Sequence, residues 1–172
     1  TTIIESFDSP FVLNNIQPGT LIPIPLTSET QYDLGELALS KVVLRTGRLK
    51  LKVKSVIETA IDFEYLMPTA TLYGTSFATQ NTLPAGSQTD TASLEIEFDL
   101  SGYAIDLRGT DGSGFNTLIT DFVIKTSESG SAVSIAGPPN NFIFIEYSFL
   151  DLVPDYGAGY FGQSTTNSDD ES

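Results

Sequence analysis

Apolar and polar residues alternate strictly along several short segments of the chain. Between Arg48 and Lys54, every second position is apolar, with Leu49, Leu51 and Val53 separated by basic residues. Successive side chains of an extended strand point to opposite faces, so a period of two predicts a half-buried strand. The outer face of this strand is expected to be basic.

A second alternating segment carries the opposite charge. Between Leu94 and Leu100, apolar residues alternate with Glu95, Glu97 and Asp99, which places three carboxylates on one outer face. Opposite charges that face each other across a ladder stabilise it, each pair by about 0.2–1 kcal/mol. We therefore predict that the basic and the acidic strand are antiparallel neighbours in one sheet.

Further segments rich in aliphatic, β-branched and aromatic residues predict more strands, and turns rich in Gly, Pro and Asn separate them. The additional predicted strands are residues 3–7, 21–26, 37–44, 59–66, 71–78, 103–107, 118–126, 132–135 and 142–150. About eight to ten short strands at this spacing, without any helical period, predict an all-β fold. The expected architecture is an antiparallel β-sandwich of immunoglobulin-like or related topology.

The chain is expected to form one main domain. Residues 1–36 contain four prolines, which cannot donate to a central ladder, so this segment is predicted to be an extended lead-in or an edge strand. Residues 37–163 hold the alternating segments and form the predicted sandwich. Residues 164–172 are polar and acidic with nothing to bury, which indicates a flexible tail or a linker.

Composition excludes several classes of function. The formal net charge is -14, from 22 acidic and 8 basic side chains, and a surface of that sign repels nucleic acid. The sequence has no Cys and no His, which excludes thiolate and Ser-His-Asp catalysis and His- or thiolate-ligated metals. We therefore expect no enzymatic activity, no cofactor and no metal.

Three aspartates flank the glycine-rich segment 109–114. Asp106, Asp111 and Asp121 could supply oxygen ligands to calcium, but their spacing matches no calcium-binding loop. A hairpin turn with solvated carboxylates is the favoured interpretation. A structural calcium site is the alternative.

Paired carboxylates could also suggest glycoside hydrolysis. Asp62 with Glu64 and Glu95 with Glu97 are each two residues apart, so on a strand each pair shares one face. Hydrolysis needs carboxylates on opposite sides of a cleft. The spacing favours solvated surface residues.

An aromatic and glycine-rich segment near the C-terminus is the best candidate for a binding surface. Tyr156, Tyr160 and Phe161 lie among glycines, and aromatic side chains offer broad contact area at small entropic cost. The same side chains could instead cover an open end of the core. Stacking on sugar rings is a third possibility.

The order of these segments resembles uncharacterised cell-envelope lipoproteins of Bacteroidota. The resemblance covers residues 37–163 and rests on a glycine before an alternating strand, a strand ending in Pro68, the segment 96–107, and a closing Gly-Tyr-Phe-Gly-Gln. In that family the turn after the first strand usually holds Asn followed by Leu-Pro or Phe-Pro, and this chain has Ser-Val-Ile-Glu at 55–58. The resemblance implies an extracytoplasmic location at the outer membrane or cell surface. It also implies membrane attachment through an N-terminal lipid anchor outside this chain, which would then be a fragment of a longer protein.

These observations favour a non-catalytic binding or assembly module of the bacterial cell envelope, with a protein partner in an envelope assembly. The sequence does not define the oligomeric state. Three alternatives remain open: a carrier of a lipid or other apolar ligand, a glycan-binding surface domain, and a structural subunit of a particle or filament. A continuous internal cavity would favour the carrier.

Overall fold

The computed structural model describes residues 2–8, 13–22, 27–135 and 141–160, and in these residues the chain is all-β. The strands are β1 (Thr2–Asp8), β2 (Leu13–Ile16), β3 (Thr27–Gln31), β4 (Ala38–Ser55), β5 (Ile61–Leu72), β6 (Thr75–Leu83), β7 (Ala92–Asp99), β8 (Ala104–Asp106), β9 (Thr117–Thr126), β10 (Val133–Ile135) and β11 (Asn141–Tyr160).

The basic and acidic strands are antiparallel neighbours, as their charges predict. Lys50 of β4 lies opposite Glu97 of β7, and Lys52 lies opposite Glu95. The alternation also holds, because Leu49 and Leu51 are almost completely buried. Complementary charge on the outer face and apolar side chains on the inner face therefore specify the same register.

The strand pairs are nested in sequence. Antiparallel pairs join β1 to β11, β2 to β10, β3 to β9, β4 to β7 and β5 to β6, so each pair lies inside the preceding one. This is one long hairpin whose arms pair along their length. Folding it over adds the pairs β4–β11 and β5–β9 and gives two arrays, β1-β11-β4-β7 and β3-β9-β5-β6.

The predicted antiparallel β-sandwich is confirmed, and its strand order is that of a jelly roll, a two-sheet fold built from nested antiparallel pairs. The short strand β8 pairs with both β4 and β5 and links the two arrays at one end of the molecule. The same end holds the first residues of β4 and the last residues of β11. We call it the groove end.

Aromatic side chains fill the space between the two arrays. The rings of Tyr65 on β5 and Phe122 on β9 lie 4.7 Å apart, and Tyr147 on β11 reaches across to within 5.8 Å of Tyr65. Phe77 on β6 and Phe98 on β7 meet edge to face at 5.5 Å. All but Phe98 are at most 5% exposed, so large side chains occupy the middle of the sandwich.

Several predicted strand boundaries are wrong. Segments 37–44 and 48–54 belong to the single strand β4. The predicted strand 71–78 is divided by a two-residue turn, Tyr73–Gly74, in which both residues have positive φ. Of the predicted strand 21–26, Leu21 forms an isolated bridge to Lys125, and residues 23–26 lie outside the described part.

The N-terminal and C-terminal segments also differ in detail from the sequence-based interpretation. Residues 1–36, expected to be a lead-in or edge strand, contribute β1, β2 and β3, and β1 and β3 are the outermost strands of their arrays. β11 continues to Tyr160, well beyond the predicted end at Leu150. The predicted tail, residues 164–172, lies outside the described residues.

Candidate functional site

The two longest strands, β4 and β11, pair along nearly their whole length, but the outer neighbour of β11 stops early. β1 pairs with β11 only from Asn141 to Ser148. In the described part of the chain, residues 149–160 pair with β4 on one side and with no strand on the other. We call residues 149–160 the free edge of β11. The edge of an antiparallel ladder presents backbone N–H and C=O groups.

An apolar groove opens beside this free edge, between β11 and the segment that follows β3. Its volume is about 240 Å³. The floor is aliphatic and largely buried, and the rim includes Leu34 and Leu152, which are 40% and 47% exposed. The lining residues are Tyr32, Leu34, Leu39, Val42, Leu44, Ile105, Leu107, Asn116, Leu118, Phe149, Leu152 and Pro154.

β11 reaches the groove through a change of backbone course. Asp151 has φ +53°, and the register with β4 shifts between Leu150 and Tyr156. Shifts of this kind are β-bulges, which re-aim the side chains that follow them. Leu152 and Pro154 consequently line the groove, in line with Phe149 from the regular part of the strand.

Asn116 organises the wall opposite β11. It is 8% exposed, its Oδ1 accepts a hydrogen bond from the Leu39 N–H at 2.7 Å, and its Nδ2 donates to the Leu37 carbonyl at 2.7 Å. Its own carbonyl accepts from the Tyr32 N–H. One side chain therefore holds the segment before β4 against the end of the β8–β9 loop.

Tyr156 and Tyr160 lie on the opposite face of β11 from the groove. Tyr156 is opposite Val43 and Tyr160 is opposite Ala38 in the ladder, so each pair shares a face. The two phenol rings are 57% and 56% exposed. Both rings are therefore accessible to a partner. Phe161, the third predicted residue, lies outside the described residues.

Exposed hydrophobic side chains are concentrated at the groove end. The described residues include ten large hydrophobic side chains that are at least 36% exposed, and seven of them lie on the free edge or on the loops around the groove. These seven are Leu34, Leu37, Phe115, Leu152, Val153, Tyr156 and Tyr160. Clustered exposure of this kind marks interaction surfaces in soluble domains.

Ion pairs hold β4 between its two acidic neighbours beside the free edge. Arg48 bonds Glu97 of β7 at 2.6 Å and also Asp151 of β11, and Arg45 bonds Asp155 at 3.1 Å. The hydrogen bond that Arg48 donates to Asp151, together with the charges of both carboxylates, raises the pKa of Arg48 above its ordinary value. Two ion pairs thus connect the bulged part of β11 to β4.

The other candidate residues are placed apart from the groove. Asp106 accepts a two-point contact from Arg108, which holds the pKa of its carboxyl below the ordinary value, and Asp111 accepts from the Ser113 N–H. Asp121 lies on β9. No cluster of three or more His, Cys, Asp or Glu suited to a metal occurs within the described ranges.

Both carboxylate pairs lie on outer faces and contact neighbouring strands. On β5, Asp62 accepts a hydrogen bond from Thr82 and Glu64 accepts from Gln80, each at 2.6 Å. On β7, Glu95 and Glu97 bond basic residues of β4. All four carboxylates therefore bond side chains of a neighbouring strand on the outer surface of the sheet.

The sequence prediction of a binding surface at Tyr156 and Tyr160 stays a prediction, and sequence reasoning missed the groove, the free edge and Asn116. Leu152 and Pro154 lie beyond the predicted end of the last strand, and the groove combines residues from distant segments. The available signal was the segment 149–154, in which every residue but Asp151 is apolar and which continues the strand past Leu150.

Comparison with known proteins gives only remote similarities. No protein-family model and no curated protein sequence matches the chain. A chain in the cryo-EM structure of broad bean stain virus aligns with a TM-score of 0.37 and 11% identity, covering 95% of this chain and 94% of its own. A chain in the naturally occurring empty particles of cowpea mosaic virus aligns with a TM-score of 0.33 and 12% identity, covering 90% and 92%. Among the described residues, no helix is long and apolar enough to cross a membrane.

Proposed function

We propose that this chain is a non-catalytic binding or assembly module that contacts a protein partner at the groove end, in a bacterial cell envelope. The observation that carries the proposal is the coincidence of an apolar groove with the free edge of β11 and with most of the exposed hydrophobic side chains. The fold itself does not contribute, because jelly rolls serve unrelated functions.

The size of the groove favours a side chain of a protein partner over a lipid. Sites for small molecules usually have volumes of about 300–1,000 Å³ and bury most of the ligand. The groove has about 240 Å³ and opens at the surface, while Tyr65, Phe122 and Tyr147 fill the middle of the sandwich. One or two apolar side chains of a partner match this volume, as anchors do in protein interfaces.

The chemistry of the free edge also favours a protein partner. Backbone N–H and C=O groups along an open strand are satisfied by another polypeptide backbone. The exposed rings of Tyr156 and Tyr160 extend the contact area on the outer face, where rigid aromatic side chains support recognition. The envelope location is supported by the resemblance of residues 37–163 to Bacteroidota envelope lipoproteins.

A site-specific cross-link tests this function. Because the sequence has no Cys, a benzophenone probe can be attached at a single new cysteine, either Leu152→Cys in the groove rim or Glu58→Cys in the β4–β5 loop at the opposite end. On illumination in cell envelopes, the probe at 152 is expected to give a protein adduct of defined mass, and the probe at 58 is not.

Equal adduct patterns from both positions would contradict the proposal, as would the absence of any protein adduct at 152. An adduct with the mass of two copies of this chain would identify the structural-subunit alternative, in which the partner is the protein itself.

A further inference from the structure

We infer that two copies of this chain associate by pairing their β6 strands edge to edge and antiparallel, so that one sheet runs through both molecules. The inference goes beyond the proposed function, because it concerns a different surface from the groove. It names one partner for this surface, a second copy of the chain.

β6 is an edge strand. It pairs with β5 on one side, and within the described residues no other strand pairs with its opposite side. The edge is formed by the β5–β6 hairpin, which lies in the middle of the sequence. An edge strand presents a row of backbone N–H and C=O groups, which another strand can pair with.

β6 is also long and regular. It has nine residues, Thr75–Leu83, and its register with β5 is unbroken from Phe77 to Leu83. The strand contains neither Pro nor Gly. The side chains of Thr75, Ser76, Ala78, Gln80 and Thr82 are exposed. Proteins usually protect such edges with bulges, prolines or charged side chains, and β6 has none of these.

Charge separates β6 from the other three outermost strands of the two arrays. β1 contains Glu5 and Asp8, β3 contains Glu29, and β7 contains three carboxylates, whereas residues 66–89 contain no Asp, Glu, Lys or Arg. Like charges that lie directly opposite each other destabilise a ladder. In a chain with a net charge of -14, β6 is therefore the outermost strand suited to meet its own copy.

A twofold axis makes the two paired strands self-complementary. In a twofold contact the same surface of both copies meets, so a strand pairs antiparallel with itself. A register centred on Thr79 pairs all nine residues of β6 and places Ser76 opposite Thr82 of the partner subunit. Pairs of Ser and Thr hydroxyls are favourable across a ladder.

Tyr73, at the turn that leads into β6, provides a second observation. Its side chain is 99% exposed, and its φ of +50° is one that bulky residues rarely adopt. A side chain added at the neighbouring Gly74 would meet nothing within 4 Å, so the turn projects into open space. In the register centred on Thr79, Tyr73 would lie beside the loop after Leu83 of the partner subunit.

Sedimentation velocity of the purified protein, from about 1 to 100 µM, tests the association. We expect a dimer whose fraction rises with concentration. Ala78→Lys places a charge on the exposed side of β6 and is expected to weaken the dimer at least about tenfold. Ala132→Lys adds the same charge at an exposed position in the β9–β10 loop and should leave the dimer unchanged. Circular dichroism checks that both variants fold.

Tyr73→Asn separates a role in association from a role in folding. Asn adopts a positive φ more readily than Tyr, so this variant should melt at a higher temperature than the wild type. The same variant should weaken the dimer, because it removes the exposed ring.

Amide hydrogen exchange locates the contact. Exchange in β6 should slow as the protein concentration rises, while exchange in β1, β3 and β7 should not change. A protein that stays monomeric up to about 100 µM would overturn the inference. A dimer that is insensitive to Ala78→Lys, or one that protects another edge, would overturn it as well.

The inference and the proposed function can fail separately. The cross-link at residue 152 reports on the groove end, and Ala78→Lys should leave its adduct with another protein unchanged.

Discussion

Single polar side chains shape the groove end. Asn116 bonds the backbone of both Leu37 and Leu39 and has φ +54°, a conformation that Asn adopts more readily than most residues. Asp106 similarly fixes Arg108 just after β8. Such contacts cannot be assigned from sequence, because Asn and Asp are common in turns and a glycine-rich loop beside them predicts an ordinary turn.

Replacing Asn116 is expected to destabilise the protein. In Asn116→Ala the Leu37 carbonyl and the Leu39 N–H lose their partner, and an unsatisfied buried group costs about 1–3 kcal/mol. Asn116→Asp keeps the acceptor for Leu39 and loses the donor to Leu37, so its cost should be smaller than that of Asn116→Ala. Urea unfolding measures both.

Asn81→Ala is the control for this series, because the Asn81 side chain donates a hydrogen bond to the Thr79 hydroxyl of its own strand, not to the backbone of another segment. Its effect is expected to stay within about 0.5 kcal/mol. An equally small effect of Asn116→Ala would contradict the role of Asn116.

The carboxyl of Asp106 makes stability depend on pH. The Arg108 contact lowers its pKa in the folded protein below the ordinary value of 3.8, so the unfolded chain takes up a proton first as the pH falls. The contribution of Asp106 is therefore present above pH 3.8 and is lost as the pH falls through the lowered folded-state value.

Melting temperatures of the wild type and Asp106→Asn at pH 7 and at pH 2.5 test this effect. We expect the variant to melt lower at pH 7 and the difference to shrink at pH 2.5. A difference that stays the same at both pH values would show that Asp106 stabilises the protein through something other than its charge.

At the scale of elements, alternation predicts which strands exist better than where they end. Pro154 is typical of a strand end, yet β11 continues through it, because Pro154 lies at a register shift and, within the described residues, its strand pairs there only with β4. Pro68 is tolerated in β5 for the same reason, since the register with β6 shifts between Met67 and Thr71. The turn at Tyr73 was not predictable, because Tyr rarely adopts a positive φ.

The pairing of β4 with β7 was predictable because charge adds information that alternation lacks. Lys50 and Glu95 form an ion pair at 3.3 Å across this ladder. We expect Lys50→Glu to destabilise the protein and Glu95→Lys in the same chain to restore part of the loss. A double-mutant cycle in urea should give a coupling of about 0.2–1 kcal/mol.

Salt provides the check on this coupling. At 1 M salt the screening length falls to about 3 Å, so the coupling should decrease. Lys125 lies opposite Asp62 in the other array and serves as the control, because Lys125→Glu combined with Glu95→Lys should show less coupling. The charge-pairing account fails if both cycles give the same value.

At the scale of the whole molecule, the sequence predicts a sandwich but leaves its topology open. Period-two patterns show which residues face inward, and Leu49 and Leu51 are buried as expected. They do not show which distant strand is the neighbour, and the nested pairs join segments as far apart as β1 and β11. The groove combines residues of β4, β8, β9 and β11, and a site assembled from distant strands has no local sequence signal.

The most direct test of the account is amide hydrogen exchange along β11, measured in the isolated protein and in its complex with the proposed partner. In the isolated protein, residues 149–160 should exchange faster than residues 143–148, which pair with β1 on one side and β4 on the other. In the complex, exchange at residues 149–160 should slow while β5 and β9 stay unchanged. Residues 149–160 that are protected in the isolated protein, or unprotected in the complex, would contradict a binding role for this edge.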